Sequence, residues 1–191
     1  NVYGGFDWSP DDNSFLVSSK SVRTNRAEIW QVRTNETSHA TPCGQKLISD
    51  PNHDLYDPNV SPDGRWIAFG AVRDLPTTLD STLYVTPGSG GQWTKITDDK
   101  QWADKPRWSP DGKIIYFVKR RGGFFNVWGI RFDPARGTPI GKAFPVTNFD
   151  NPRLGMPQHL PSIDVSLNQD HLVLTIEQDA GNLWILDNVG P

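Results

Sequence analysis

The stretch WSPDGKIIYF, Trp108–Phe117, sets a serine, a proline, an aspartate and a glycine before a run of apolar residues. Read for chemistry, Ser109 and Asp111 resemble a nucleophile with an acid beside it. Read for architecture, the same residues are a tight turn that feeds a strand. The rest of the chain decides between the two, because the stretch recurs.

It aligns without gaps to WSPDDNSFLV (Trp8–Val17), VSPDGRWIAF (Val60–Phe69) and VSLNQDHLVL (Val165–Leu174). The serines are Ser9, Ser61, Ser109 and Ser166, spaced by 52, 48 and 57 residues. A second element follows each time: EIWQV, TLYVT, NVWGI and NLWIL, with Trp30, Tyr84, Trp128 and Trp184 at the third position. A third element, Ile48-Ser49-Asp50, Ile96-Thr97-Asp98 and Val146-Thr147-Asn148, closes the first three units. Internal periods of this length identify repeat architectures.

Each unit reads as four short strands, rich in β-branched and aromatic residues and separated by turn residues. One strand ends at the serine, one follows the turn, one carries the aromatic and one closes with the third element. No segment carries a capped helical period. The expected fold is all-β: a β-propeller of four-stranded antiparallel blades, with blades near 1–50, 51–98, 99–150 and 151–191 and the last one incomplete. Because propeller blades are covered on both faces, strands such as Ile114–Val118 can be apolar on both sides. Trp8, Trp30, Trp108, Trp128 and Trp184 are expected in the core between blades, while Trp102 falls in a loop.

Within SPDG every residue has a structural task. Proline presets φ near −65°, aspartate and serine bond local backbone, and glycine accepts a positive φ. A catalytic serine would need a base within reach and only one copy, and no histidine recurs beside these serines. The motif is scaffold. Asp12 replaces the glycine in the first unit and Leu167-Asn168-Gln169 replaces Pro-Asp-Gly in the fourth, so both turns are expected to differ in geometry.

Composition narrows the function classes. The chain has 191 residues and a formal net charge of −3, without the basic face of a nucleic-acid binder. The run Lys119-Arg120-Arg121 reads as a solvated hairpin tip. Cys43, the single cysteine, cannot form an internal disulfide. The longest apolar run is five residues, too short for a membrane span. His39, His53, His159 and His171 have no metal-ligand spacing, so neither a metal nor a cofactor is expected. Gly88-Ser89-Gly90-Gly91 reads as a hairpin turn. The sequons at Asn35 and Asn59 are discounted, Asn59 because it lies within an expected inner strand. The chain opens on Asn1 without a signal peptide, which reads as a processed or truncated product.

With its Pro-x-Trp-Ser-Pro-Asp-Gly turn (Pro106–Gly112), its Ile-x-Phe strand and its Leu-Tyr-Val strand, the chain resembles the TolB-type, WD-repeat-like propeller repeat of bacteria. Asp104–Gly112 is the best copy, and Pro58 matches Pro106. Gly123–Asp150 is similar to the last blades of large bacterial proteins that carry such a propeller behind a winged-helix domain or a protein kinase. The resemblance implies six or more blades in a ring. Four repeats then read as a four-bladed ring, a half propeller that pairs with a second copy, or part of a larger ring. It also implies a protein or peptide partner, and favours a periplasmic or envelope location over the cytoplasm.

In propellers of this kind, binding occurs at a funnel mouth built from the loops before the innermost strands. Here those loops are 51–59, 99–107 and 151–162, carrying His53, Tyr56, Asp57, Trp102, Asp104, Lys105, Arg153 and His159. The expected function is a non-catalytic protein-, peptide- or ligand-binding or sensor module. The alternative is the propeller part of an enzyme, either a peptidase-gating propeller or a polysaccharide lyase.

Overall fold

The computed structural model describes residues 2–34, 44–74, 79–98, 102–168 and 171–178, with backbone alone at 2–5, 74 and 79. Three complete blades and part of a fourth follow one another along the chain. The first blade is β1 (Val2–Trp8), β2 (Ser14–Lys20), β3 (Ala27–Arg33) and β4 (Gly44–Ile48), hydrogen-bonded in that order. The second is β5 (Asp54–Val60), β6 (Trp66–Asp74), β7 (Leu79–Pro87) and β8 (Thr94–Lys95). The third is β9 (Ala103–Trp108), β10 (Ile114–Arg121), β11 (Phe124–Asp133) and β12 (Thr138–Pro145). The fourth repeat contributes β13 (Leu154–Gly155), a 3-10 turn at Leu160–Ser162, β14 (Val165–Leu167), β15 (Leu172–Leu174) and β16 (Glu177–Gln178), with β14 paired to β15 and β13 to β16. All of the pairings are antiparallel.

The SPDG turns are scaffold, as their repetition implies. In the third blade Ser109 Oγ donates to Asp111 Oδ1 at 2.6 Å and accepts the Ile114 N–H at 2.9 Å. Asp111 Oδ1 also accepts the Lys113 N–H at 3.1 Å, and the Gly112 N–H closes the turn on the Ser109 carbonyl at 2.8 Å. Ser61 and Asp63 repeat this set in the second blade. Gly64 and Gly112 take φ of 71° and 68°, the left-handed region where a Cβ is costly. The first blade corrects one expectation. Asp12 adopts φ 56° and its turn keeps the same bonds, with Ser9 Oγ on Asp11 Oδ1 at 2.5 Å and the Asp12 N–H on the Ser9 carbonyl at 3.0 Å. A short polar side chain tolerates the left-handed region, so the turn survives loss of the glycine.

The fourth turn does differ. Val165 pairs with Leu174, whereas Trp8, Val60 and Trp108 each pair with a residue seven positions on: Phe15, Ile67 and Ile115. The hairpin closes later, from the Asn168 N–H to the His171 carbonyl at 3.0 Å, and the pairing slips by two residues. A slip of two keeps every side chain on its original face.

Three apolar clusters lie between consecutive blades. Leu16, Ile29 and Ile48 meet Leu55, Ile67 and Phe69; Leu83, Val85 and Ile96 meet Ile115, Phe117 and Phe132; Val118, Phe125 and Val127 meet Met156, Ile163 and Val165. Ile115 and Phe117 face the second blade, while Val118 faces the fourth. Period-two alternation therefore sends one strand's residues into two separate cores, and burial of each large side chain contributes ~1.5–3 kcal/mol.

Trp108 is buried as expected, and Trp30 and Trp128 are half-buried. Trp8 departs from the expectation: it is 49% exposed where its counterpart Trp108 is 6% exposed. Among the described residues no blade precedes the first to cover it. Trp184, His39, Cys43 and the Asn35 sequon lie outside the described residues. The Ile-Thr-Asp element also corrects its assignment. Only Ile48 is in an outer strand, and the other two copies follow one. There Thr97 Oγ1 accepts the Leu83 N–H at 3.0 Å and Thr147 Oγ1 the Val127 N–H at 2.9 Å, continuing the sheet edge by side chain. Lys119, Arg120 and Arg121 end β10 at the Gly122-Gly123 turn, with Lys119 and Arg121 over the Trp128 ring and Arg120 over Phe125.

Candidate inner-strand site

The innermost strands β5 and β9 lie side by side, and each carries a bulge. At the bulges Asp57 and Lys105 take φ of 48° and 54°. They are equivalent residues, each followed by a proline and lying four positions before the turn serine. Left-handed backbone costs a residue with a Cβ roughly 1–2 kcal/mol, and bulges re-aim the side chains they carry. Here they bring Lys105 Nζ to 3.9 Å from Asp57 Oδ2, with both side chains largely buried.

Asp104 completes the cluster. It is 6% exposed, its Oδ1 accepts the Lys105 N–H at 2.8 Å, and it lies against Gly70, whose missing side chain leaves room for the carboxylate. Burial pushes the Asp104 carboxyl up to about 7, the Asp57 charge adds to the rise, and the Lys105 N–H and ammonium oppose it. Asp104 therefore keeps its proton further up the pH scale than an ordinary carboxyl, beside an Asp57 carboxylate that faces the Lys105 ammonium.

The structure moves four of the expected loop residues onto strands. Tyr56 and Asp57 are in β5, Asp104 and Lys105 in β9, because pairing with β6 and β10 begins earlier than the turn residues suggest. Asp57, Asp104 and Lys105 come together; Tyr56 adjoins them, half-buried, opposite Gly70. The others have different surroundings. His53 Nδ1 lies 2.8 Å from Asp50 Oδ1, and its ring meets Trp93 edge-on. Trp102 packs into the core between the third and fourth blades with its indole N–H buried and unpartnered. His159 is exposed beside Ser162, and Arg153 is exposed with its backbone on Asn151. Among the described residues no group of three or more His, Cys, Asp or Glu side chains is arranged to hold a metal ion, and no helix is long and apolar enough to cross a membrane.

A ladder two residues before each turn serine was not singled out from sequence. Asp7 Oδ2 accepts the Val60 N–H at 2.7 Å and the Asn59 amide at 2.9 Å. Asn59 Oδ1 in turn accepts the Trp108 N–H, and Arg107 Nε donates to the Val165 carbonyl at 2.9 Å. Each blade thus grips the next inner strand by side chain. The signal was present, since Asp7, Asn59, Arg107 and Asp164 are all polar at one repeat position amid apolar neighbours.

No family model matches the chain. It is 42% identical over 114 residues to an uncharacterised peptidase of Bacillus subtilis, a match that covers 56% of this chain and 16% of the relative. Its fold superposes on TolB from Agrobacterium tumefaciens with a TM-score of 0.60 at 21% identity, covering 93% of this chain and 64% of that one. Prolyl oligopeptidase B from Galerina marginata gives a TM-score of 0.61 at 15% identity, covering 92% and 24%. The chain spans between 12% and 39% of the length of the curated relatives it matches. Repeats, blade order and these superpositions agree on one architecture: the chain has a β-propeller fold of four-stranded antiparallel blades, similar to that of TolB.

Proposed function

We propose that the propeller is a non-catalytic binding module that takes a protein or peptide at its inner strands. The observation that carries this reading is the Asp57–Asp104–Lys105 cluster. Buried ionisable groups on strained backbone cost stability, and such groups collect where a ligand is held. A carboxylate, a neutral carboxyl and an ammonium together can receive and donate hydrogen bonds to a peptide main chain or its termini. The repeated serines support the same reading, because their hydroxyls are committed to the turns. Association of two copies through the exposed first-blade face belongs to this reading as well.

The test is a fluorescence-anisotropy screen of a peptide library, followed by Asp57→Asn and Lys105→Ala. At least a tenfold loss of affinity with the melting temperature held within a few degrees supports the site. Peptides that neither bind nor shift the melting temperature, or binding indifferent to both changes, count against it.

The likeness to a Bacillus peptidase and to prolyl oligopeptidase B favours a second reading, a propeller that serves a peptidase. Its test is peptidase turnover that survives purification and is lost on Asp104→Asn, Lys105→Ala or His159→Ala.

A further inference from the structure

The interface between the second and third blades is filled by three aromatic rings. Trp66 meets Phe132 edge-on at 5.7 Å, Trp108 meets Phe132 at 4.9 Å, and the Trp66 indole donates to the Pro134 carbonyl at 3.1 Å. The repeat places Ser14, Val60 and Gly88 at the equivalent positions between the first and second blades. The equivalence is structural: the Gly88 N–H donates to the Arg65 carbonyl as the Phe132 N–H donates to that of Lys113. All three rings are therefore absent at once, and a cavity of about 340 Å³ opens where they would lie.

The cavity is built rather than left over. A Cβ at Gly88 would collide with the Gly64 carbonyl oxygen, so the fold holds that position empty. Leu16, Leu47, Val60 and Ile67 form apolar walls, and buried Ser14 points a hydroxyl that accepts from Gln31 at 2.9 Å. Asp11 and Asp63 stand at the cavity as carboxylates, held below the ordinary range: Asp11 chiefly by the Ser9 hydroxyl, Asp63 by its bonds to Ser61 and Arg65, which outweigh desolvation. Arg65 Nε offsets one of them at 2.7 Å. Apolar walls sized for a ring, beside an Asp11 carboxylate with no ion-pair partner among the described residues, suit an aromatic cation.

We propose that the cavity between the first and second blades is a binding site for an indole-sized aromatic ring that carries an amine. It is separate from the inner-strand cluster and does not depend on the reading above.

Titration of the full chain with tryptamine, followed by NMR, tests it. Saturable shifts below ~1 mM are expected, with indole-3-acetate at least threefold weaker because its carboxylate meets Asp11. Ser14→Trp restores the indole of the other interface and is expected to lower affinity at least tenfold. Leu47→Trp, which closes the cavity from the opposite wall, gives the same readout should the first variant not fold. Trp66→Ser is expected to open a second site and raise the stoichiometry from one to two. Failure to saturate by ~5 mM, equal binding of the two probes, or binding retained by a folded Ser14→Trp or Leu47→Trp protein overturns the proposal.

Discussion

Asn59 Oδ1 accepts the backbone N–H of Trp108 at 2.7 Å, and the Trp108 indole N–H returns to the Asn59 carbonyl at 3.1 Å. Two residues from adjacent blades thus bind each other twice, through main chain and side chain. Removing one partner of such a bond strands a buried donor, and that costs more than the bond itself contributed. Asn59→Ala is expected to lower stability by ~1–3 kcal/mol, read from urea denaturation midpoints. Asn59→Asp keeps the acceptor for Trp108 but sets a carboxylate against Asp7, so it is expected to recover stability as the pH is lowered.

Asp104 predicts a pH dependence with an unusual sign. Its folded pKa, about 7, lies above the 3.8 of an ordinary aspartate, so between these values the folded state holds a proton that the unfolded chain has released. Stability is then greatest near pH 4 and declines as the pH rises through 7. Asp7, raised chiefly by desolvation, adds to the same trend. Asp104→Asn is expected to flatten most of the slope between pH 4 and 7, as a neutral amide replaces a neutral carboxyl. Urea midpoints at pH 5 and pH 8 measure it, and a variant as pH-sensitive as the parent would falsify the assignment. Below pH 4 both proteins are expected to weaken together, as Asp11, Asp50, Asp63 and Asp111, all held low by their hydrogen bonds, become protonated.

The turns supply a matched pair of changes. Gly112→Ala puts a Cβ at φ 68° and is expected to cost ~1 kcal/mol. Asp12→Gly relieves a left-handed aspartate at φ 56° and is expected to gain ~0.5 kcal/mol, since relief of strain exceeds the added freedom of the unfolded chain. Thermal denaturation of the two variants reads both signs.

Phe6 is 64% exposed and shares a strand with exposed Trp8. Paired apolar exposure at the edge of a blade array favours association. Light scattering after size exclusion is expected to show a mass above 21.4 kDa that falls back on Phe6→Ser with Trp8→Ser. A monomeric parent chain speaks against association through this face.

Much of the fold was legible because a repeat states its pattern several times. Two copies of SPDG and one of SPDD marked the hairpin turns, and Ile115, Phe117 and Val118 declared a strand covered on both sides. The candidate site was less legible. Asp57 and Lys105 read as loop residues because they fall before the expected innermost strands, and a single sequence does not distinguish a bulged strand from a loop. Trp102 and His53 looked like site residues by their place before an inner strand, yet one packs into a core and the other turns to Asp50 and Trp93.

By itself the sequence determined what is local or periodic: the turn chemistry, the strand alternation, the number of repeats and the likeness to TolB-type blades. These follow from bonds within a few residues and from a period of two along the strand. Tertiary structure alone decided which repeats touch and what lies between them. It brought Asp104 against Asp57, tied Asn59 to Trp108, and placed Ser14, Val60 and Gly88 around one cavity. Such meetings depend on how adjacent blades pack, and the contacts join residues tens of positions apart.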